Sequence, residues 1–352
     1  MTAKERISRA LDYLPVDRVP RYDIFLPEFI GEWMRQKDLT GKNINIYDFY
    51  KNIDIGGVLA DSSGPLTSKA RIIKREGPDI TEIDGFGRML FRSETRYFEK
   101  QLAPAFNEKR EYDELVFDDP DDPARYDSLA LHSEGFSRRF APVSGVMGLF
   151  MSLYRMRGEE QLLTDIAEDP YFVCYMAERL CEFIKRQAVH VARATGTFDT
   201  AIWIYDEFSS RLSPLFSPKH FETIFLHYYK DLCVHLHKNG IKHIILHCDG
   251  NCLPLYDMLI EAGFDGHQGP APTTGMKLWE IKKNYGNRFA LIGGMCNIET
   301  LAKGSRNEIE YEAGAILEAA RSGGVIIGTH SIDINIPPQN YQYYYDYLEK
   351  NI

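Results

Sequence analysis

Four residues of this chain have side chains suited to holding a cation or moving a proton and fall where strands are expected to end: Glu207, His247, Asp249 and His330. Two of them lie in IKHIILHCDGN (241–251). Ile244, Ile245 and Leu246 form a short apolar run of the kind found in a buried strand, and the run stops in His247, Cys248, Asp249 and Gly250. A spacing of two puts His247 and Asp249 on the same side if the extended backbone continues that far. Histidine and carboxylate are ordinary ligands of a catalytic zinc, which keeps one position open for substrate or water. The same residues also suit a metal-free polar network that binds an organic acid. Ligands so far apart in the chain carry no spacing signature that decides between the two.

Neighbouring residues have expected supporting roles. Asp206 or Tyr205, just before Glu207, is a candidate proton donor, and Tyr22, Met147 and Cys296 are expected to line the substrate pocket. Cys233 and His237 are four apart on a predicted helix, but that helix also carries Leu226, Tyr229 and Leu232, so packing is the expected role. Cys248 and Cys252 have no matching second pair and read as structural, with Cys248 pointing away from His247.

The elements that must position these residues follow a regular rhythm after residue 140. Strands are predicted in FAPVSGVMG (140–148), FDTAIWIYDEF (198–208), the 241–251 stretch, FDGHQG (264–269), FALIGGM (289–295) and GGVIIGTH (323–330). Helices are expected between them, at about 150–168, 170–195, 217–240, 253–262, 276–284 and 306–322, with a closing helix from about Pro338. Ser217-Pro218 provides an N-cap and a first-turn proline. Alternating strands and helices indicate right-handed βαβ units and a parallel sheet. No GxGxxG or GxxxxGK[ST] phosphate loop is present, which disfavours a doubly wound sheet. Polar residues recur at several strand ends: Asp206/Glu207, His247/Asp249, His267, Cys296/Asn297 and His330. A ring of this kind on one face favours an α/β, (β/α)8 TIM barrel. Before it, residues 1–139 read as helices, including one over 2–13, a first strand and a small hairpin within 71–98. The whole chain is expected to form one barrel domain.

Composition excludes other classes. The chain has 352 residues, 44% of them apolar and 26% charged, enough for a large core. A net charge of -10 without a basic cluster argues against nucleic-acid binding. The opening MTAKERISRALDYL has helical amphipathic spacing and no apolar signal region, and no apolar run approaches the ~20 residues of a membrane span. Six scattered cysteines fit a reducing compartment, so a cytoplasmic protein is expected.

Five stretches in order resemble the uroporphyrinogen decarboxylase superfamily, which includes cobalamin-dependent methyltransferases. They are ERISRALDYLPVDRVP (5–20), YDEFSSRLSPLFSP (205–218), LHCDGN (246–251), LIGGMCNIETLAKGS (291–305) and GGVIIGTHSIDINIPPQNY (323–341). The resemblance implies a (β/α)8 barrel and, as in the decarboxylases, a possible homodimer. Authentic decarboxylases carry an Arg-Gln-Ala-Gly-Arg segment after the first helix. Here RYDIFLPEF (21–29) keeps Arg21 but brings in Asp23 and Glu28, an acidic lining that would repel a polycarboxylate tetrapyrrole.

The branch using coenzyme M resembles the chain differently, with a zinc on a His-x-Cys turn and a later Cys. Carried over, these positions are His247, Asp249 in place of the first Cys, and a position near His330. Loss of both thiolates suits an oxygen-bearing substrate. The chain therefore resembles zinc methyltransferases that move a methyl group from a small aryl methyl ether to a corrinoid (cobalamin) protein. Alternatives are a metal-free decarboxylase or lyase of the same fold, a methylcorrinoid-to-carrier methyltransferase, and a non-catalytic binding barrel. A docking rim for the corrinoid protein is expected around 145–155, 209–216, 268–276 and 331–340, with Met147, Phe150, Leu215 and Ile336 exposed.

Overall fold

The computed structural model describes residues 1–94 and 96–352. In chain order its strands are β1 (Arg21–Tyr22), β2 (Leu59–Asp61), β3 (Arg71–Glu76), β4 (Asp79–Ile83), β5 (Met89–Ser93), β6 (Arg96–Ala103), β7 (Ser144–Met147), β8 (Ile202–Tyr205), β9 (Ile244–His247), β10 (Gly266–Gln268), β11 (Ala290–Gly294) and β12 (Val325–Gly328). Eight of them form a parallel sheet in the order β1-β12-β11-β10-β9-β8-β7-β2. Its two ends meet where Tyr22 bridges Ile55 in parallel, just before β2, and the Asp23 N–H donates to the Ile55 carbonyl at 3.1 Å. The sheet thus closes into the expected barrel.

Alternation along each strand separates two cores. Trp203, Ile245, Ile292 and Ile326 face inward and pack with Tyr22, and Ile7 and Leu11 of the first helix (Ala3–Leu11) belong to the same cluster. Ile204, Leu246, Leu291 and Ile327 face outward into a larger apolar layer shared with the surrounding helices. The strands are apolar on both sides because both sides are covered.

Several elements depart from expectation. The 150–168 helix is two helices, Leu149–Arg157 and Glu159–Glu168, separated by Gly158, whose φ of 87° an L side chain rarely adopts. The 217–240 helix contains a π turn at Phe221–Phe225. The expected hairpin is a four-stranded antiparallel sheet, β3-β4-β5-β6. Thr95, within that stretch, lies outside the described residues. Among the described residues no helix is long and apolar enough to cross a membrane. All six cysteines are free.

Candidate active site

Parallel pairing aligns one row of inward-facing side chains near the carboxyl ends of the strands. Met147 is paired with Tyr205, Tyr205 with His247, and His247 with Gln268; Gln268 pairs in turn with Ile292. The chain leaves β8 and β9 immediately after this row, so Glu207 and Asp249 rise above it on loops. His330 arrives from the loop after β12.

Three of these side chains form a cluster able to hold a metal ion: one ligand atom from each of His247, Asp249 and His330 lies within 4.8 Å of the others. Asp249 joins the two imidazoles, with Oδ2 3.1 Å from His330 Nε2 and Oδ1 3.9 Å from His247 Nε2. The two rings have centroids 5.5 Å apart. Glu207 reaches the cluster from the side. Its Oε1 is 3.1 Å from His247 Nε2, while Oε2 accepts from the Asp249 N–H at 2.8 Å. Of the four residues expected to hold a cation, His247, Asp249 and His330 form this cluster and Glu207 lies against His247.

Charge sets the protonation of the cluster. Burial disfavours a charged His247, but its bond to Glu207 and the charges of Glu207 and Asp249 outweigh that and raise it to about 9. Desolvation works against the Asp249 carboxylate, yet the bond to His330 and the charges of both histidines hold it below its ordinary value. Asp249 is therefore held as a carboxylate between the two imidazoles. Two imidazoles and a carboxylate are a usual catalytic zinc donor set, and ligands ~2.1 Å from a tetrahedral ion lie about 3.4 Å from each other. The spacings of 3.1 and 3.9 Å run to the two oxygens of Asp249, and with all three ligand atoms within 4.8 Å the side chains would draw together around such an ion.

The other candidate residues divide. Tyr205 stands beside the cluster, its ring edge-on to His247 at 4.8 Å. Tyr22 also reaches the mouth, donating from its hydroxyl to the His330 carbonyl at 3.1 Å. Met147 is in the inward row but buried. Cys296 is buried too, its Sγ accepting from the Glu299 N–H, and no contact ties it to the cluster among the described residues.

Asp206 does not join the site. As β8 alternates, Tyr205 faces in and Asp206 faces out, fully buried. It accepts from the N–H groups of Phe150 and Met151 at 3.3 and 2.7 Å and from the Tyr229 hydroxyl, capping the Leu149–Arg157 helix from a neighbouring strand. Burial pushes its carboxyl up to about 7, partly offset by those bonds. The same alternation removes His267 from the ring of strand-end residues. It faces the helices, bonded to the Tyr256 hydroxyl at 2.6 Å and the Cys248 carbonyl at 2.8 Å, with Cys252 Sγ 3.8 Å away. Cys248 and Cys252 lie in that outer core, and so does Cys233, while His237 bonds the Ile241 carbonyl.

Two further expectations are corrected. Asp23 lines no mouth: it is buried outside the barrel, accepting from Tyr341 at 3.1 Å with Arg21 at 3.5 Å, and Glu28 is exposed on the Pro27–Gln36 helix. Of the expected docking residues, Met147, Phe150 and Ile336 are buried and Leu215 is half-buried. The exposed apolar side chains on the strand-end loops are Leu212, Ile298 and Ile334. Gln268 was missed altogether. Its signal was present only as alternation, one residue beyond His267.

Comparison with curated proteins finds no match. Among solved structures, a methyltransferase from Methanosarcina mazei superposes with a TM-score of 0.68 at 16% identity, covering 99% of each chain, a likeness of fold. The family profile for uroporphyrinogen decarboxylase (URO-D) matches residues 97–350. That span is most of the chain and contains all four mouth residues, so the protein belongs to the uroporphyrinogen decarboxylase (URO-D) family.

Proposed function

We propose that this protein is a zinc-dependent methyltransferase that takes a methyl group from a small methoxylated substrate, an aryl methyl ether, and passes it to a corrinoid protein. The observation that carries the reading is the His247, Asp249 and His330 cluster at the carboxyl ends of the barrel strands. The fold shared with a methanogen methyltransferase supports it. Zinc at that cluster would supply Lewis-acid polarisation of an ether oxygen and stabilise the phenolate that leaves.

The chain's own residues supply the rest. Glu207 accepts the Asp249 N–H, which orients that ligand, and its other oxygen lies 3.1 Å from the His247 nitrogen that would bind the metal. Tyr205, the candidate proton donor, is held well above its ordinary phenol value by burial, so it stays protonated and serves the leaving oxygen as a hydrogen-bond donor. Tyr22 fixes the backbone of His330.

Arg21 lends the metal-free decarboxylase reading no support. Arg21 is fully buried, 2.8 Å from Glu349 and away from the mouth, so it is not free to bind substrate carboxylates. Metal analysis of the purified chain tests the proposal. One zinc per chain, lost in His247→Ala together with demethylation of a methoxylated aromatic, is the expected result. A wild-type protein without zinc overturns it.

A further inference from the structure

We infer that Gln268 is the positioning residue of this site: its side-chain carbonyl holds His247, and its amide N–H group is kept free for an oxygen of the bound substrate. The inference rests on the zinc reading above and extends it to a residue of no obvious chemical character.

Register is the first observation. Gln268 and His247 are direct partners across the parallel pair β10 and β9, and both face the barrel interior. The His247 Nδ1–H donates to Gln268 Oε1. A histidine whose Nδ1 is occupied in this way presents Nε2 to a metal, and Nε2 is the atom beside Glu207 and Asp249.

The second observation is a donor without an acceptor. Gln268 is fully buried, and its Nε2 has no hydrogen-bond partner among the described residues. A buried amide N–H left unpaired is costly, so such groups are normally satisfied. The amide nitrogen is covalently tied next to the oxygen that holds His247, which keeps it beside the ring of that ligand. It has two hydrogens to give and nothing to accept. The matching ligand atom is an acceptor oxygen, such as an ether, phenolate or carboxylate oxygen of a substrate lying against the cluster. A residue with an apolar side chain here would fill the space but perform neither task.

Two variants of the full-length protein separate the tasks. Gln268→Met removes both acceptor and donor. Gln268→Glu keeps an acceptor for the Nδ1–H and removes the amide donor. Zinc affinity is read by competition with a chromophoric chelator, with thermal melting to verify that each variant is folded. The expected zinc affinity of Gln268→Met is about 10–100-fold below wild type, and Gln268→Glu restores it. Zinc-loaded Gln268→Glu should nevertheless demethylate a methoxylated aromatic at least about tenfold more slowly in kcat/KM. If folded Gln268→Met binds zinc as tightly as wild type, the positioning role is overturned while the zinc reading stands. If Gln268→Glu turns over like wild type, the free-donor role is overturned. A wild type that binds no zinc removes both the zinc reading and this one.

Discussion

Asp249 lies between two imidazoles, whereas Glu207 touches only one of them and a backbone N–H. Removing the Asp249 charge should therefore cost more zinc affinity than removing that of Glu207. Asp249→Asn is expected to weaken zinc binding by more than about 100-fold and Glu207→Gln by about 10–100-fold, the range for groups that orient a ligand. Equal losses in a chelator competition would return Glu207 to the ligand set. Away from the mouth, the buried Asp23 has its carboxyl pushed up to about 6 by burial, only partly offset by Arg21 and Tyr341, against an ordinary 3.8. The folded state binds that proton more tightly than the unfolded chain. The stability it contributes is fully present below the ordinary value and is lost as pH rises through about 6. Unfolding measured across this window should show wild type losing ground to Asp23→Asn as pH rises. A pH-independent difference would refute the assignment. At this scale the sequence was legible wherever residue type alone marks chemistry, as for His247, Asp249 and His330. It failed where parity decides, because one step along a strand sends Asp206 and His267 outward and Gln268 inward.

The βα rhythm was readable because barrel strands are covered on both faces and so appear as short apolar runs, such as ALIGG in β11 and VIIG in β12. Gly158 and the π turn at Phe221–Phe225 were not readable, since each interrupts a run that is helical on both sides. Contacts between loops were invisible for a similar reason: they join elements distant in sequence. Gly250 is the case with most consequence. A Cβ there would lie 2.1 Å from the Ser209 carbonyl oxygen, and the adjoining Asn251 N–H donates to Ser210 at 2.8 Å. The loops carrying Glu207 and Asp249 touch because this residue has no side chain. Gly250→Ala should force them apart, destabilising the fold by about 1–3 kcal/mol and lowering zinc affinity with it. Thermal melting and chelator competition would check both effects. Unchanged zinc binding in a destabilised variant would uncouple the turn from the cluster.

On the scale of the whole molecule, closure of the sheet at Tyr22 and Ile55 turns eight strand ends into one mouth. If, as proposed, a methyl group is carried away on a corrinoid protein, it leaves through this mouth and the corrinoid has to come within bonding distance of the methyl carbon, so the partner must rest on the rim. The rim supplies three apolar side chains well out in solvent: Leu212, 80% exposed, Ile298, 57%, and Ile334, 54%. They stand on the loops after β8, β11 and β12, the same loops that bring in Glu207 and His330 or begin beside Cys296. Isolated exposed aliphatics are ordinary on any surface, but three on the strand-end loops of one mouth suit a docking contact. None of the three takes part in the cluster, so replacing one leaves the chemistry in place. Leu212→Asp should slow methyl transfer to the corrinoid protein by about tenfold or more, in line with the loss of one well-packed interface anchor. Transfer to free cob(I)alamin, which needs no docked partner, should remain near the wild-type rate. If both transfers slow together, Leu212 supports the pocket and not the partner. If neither changes, the rim is not where the second protein sits.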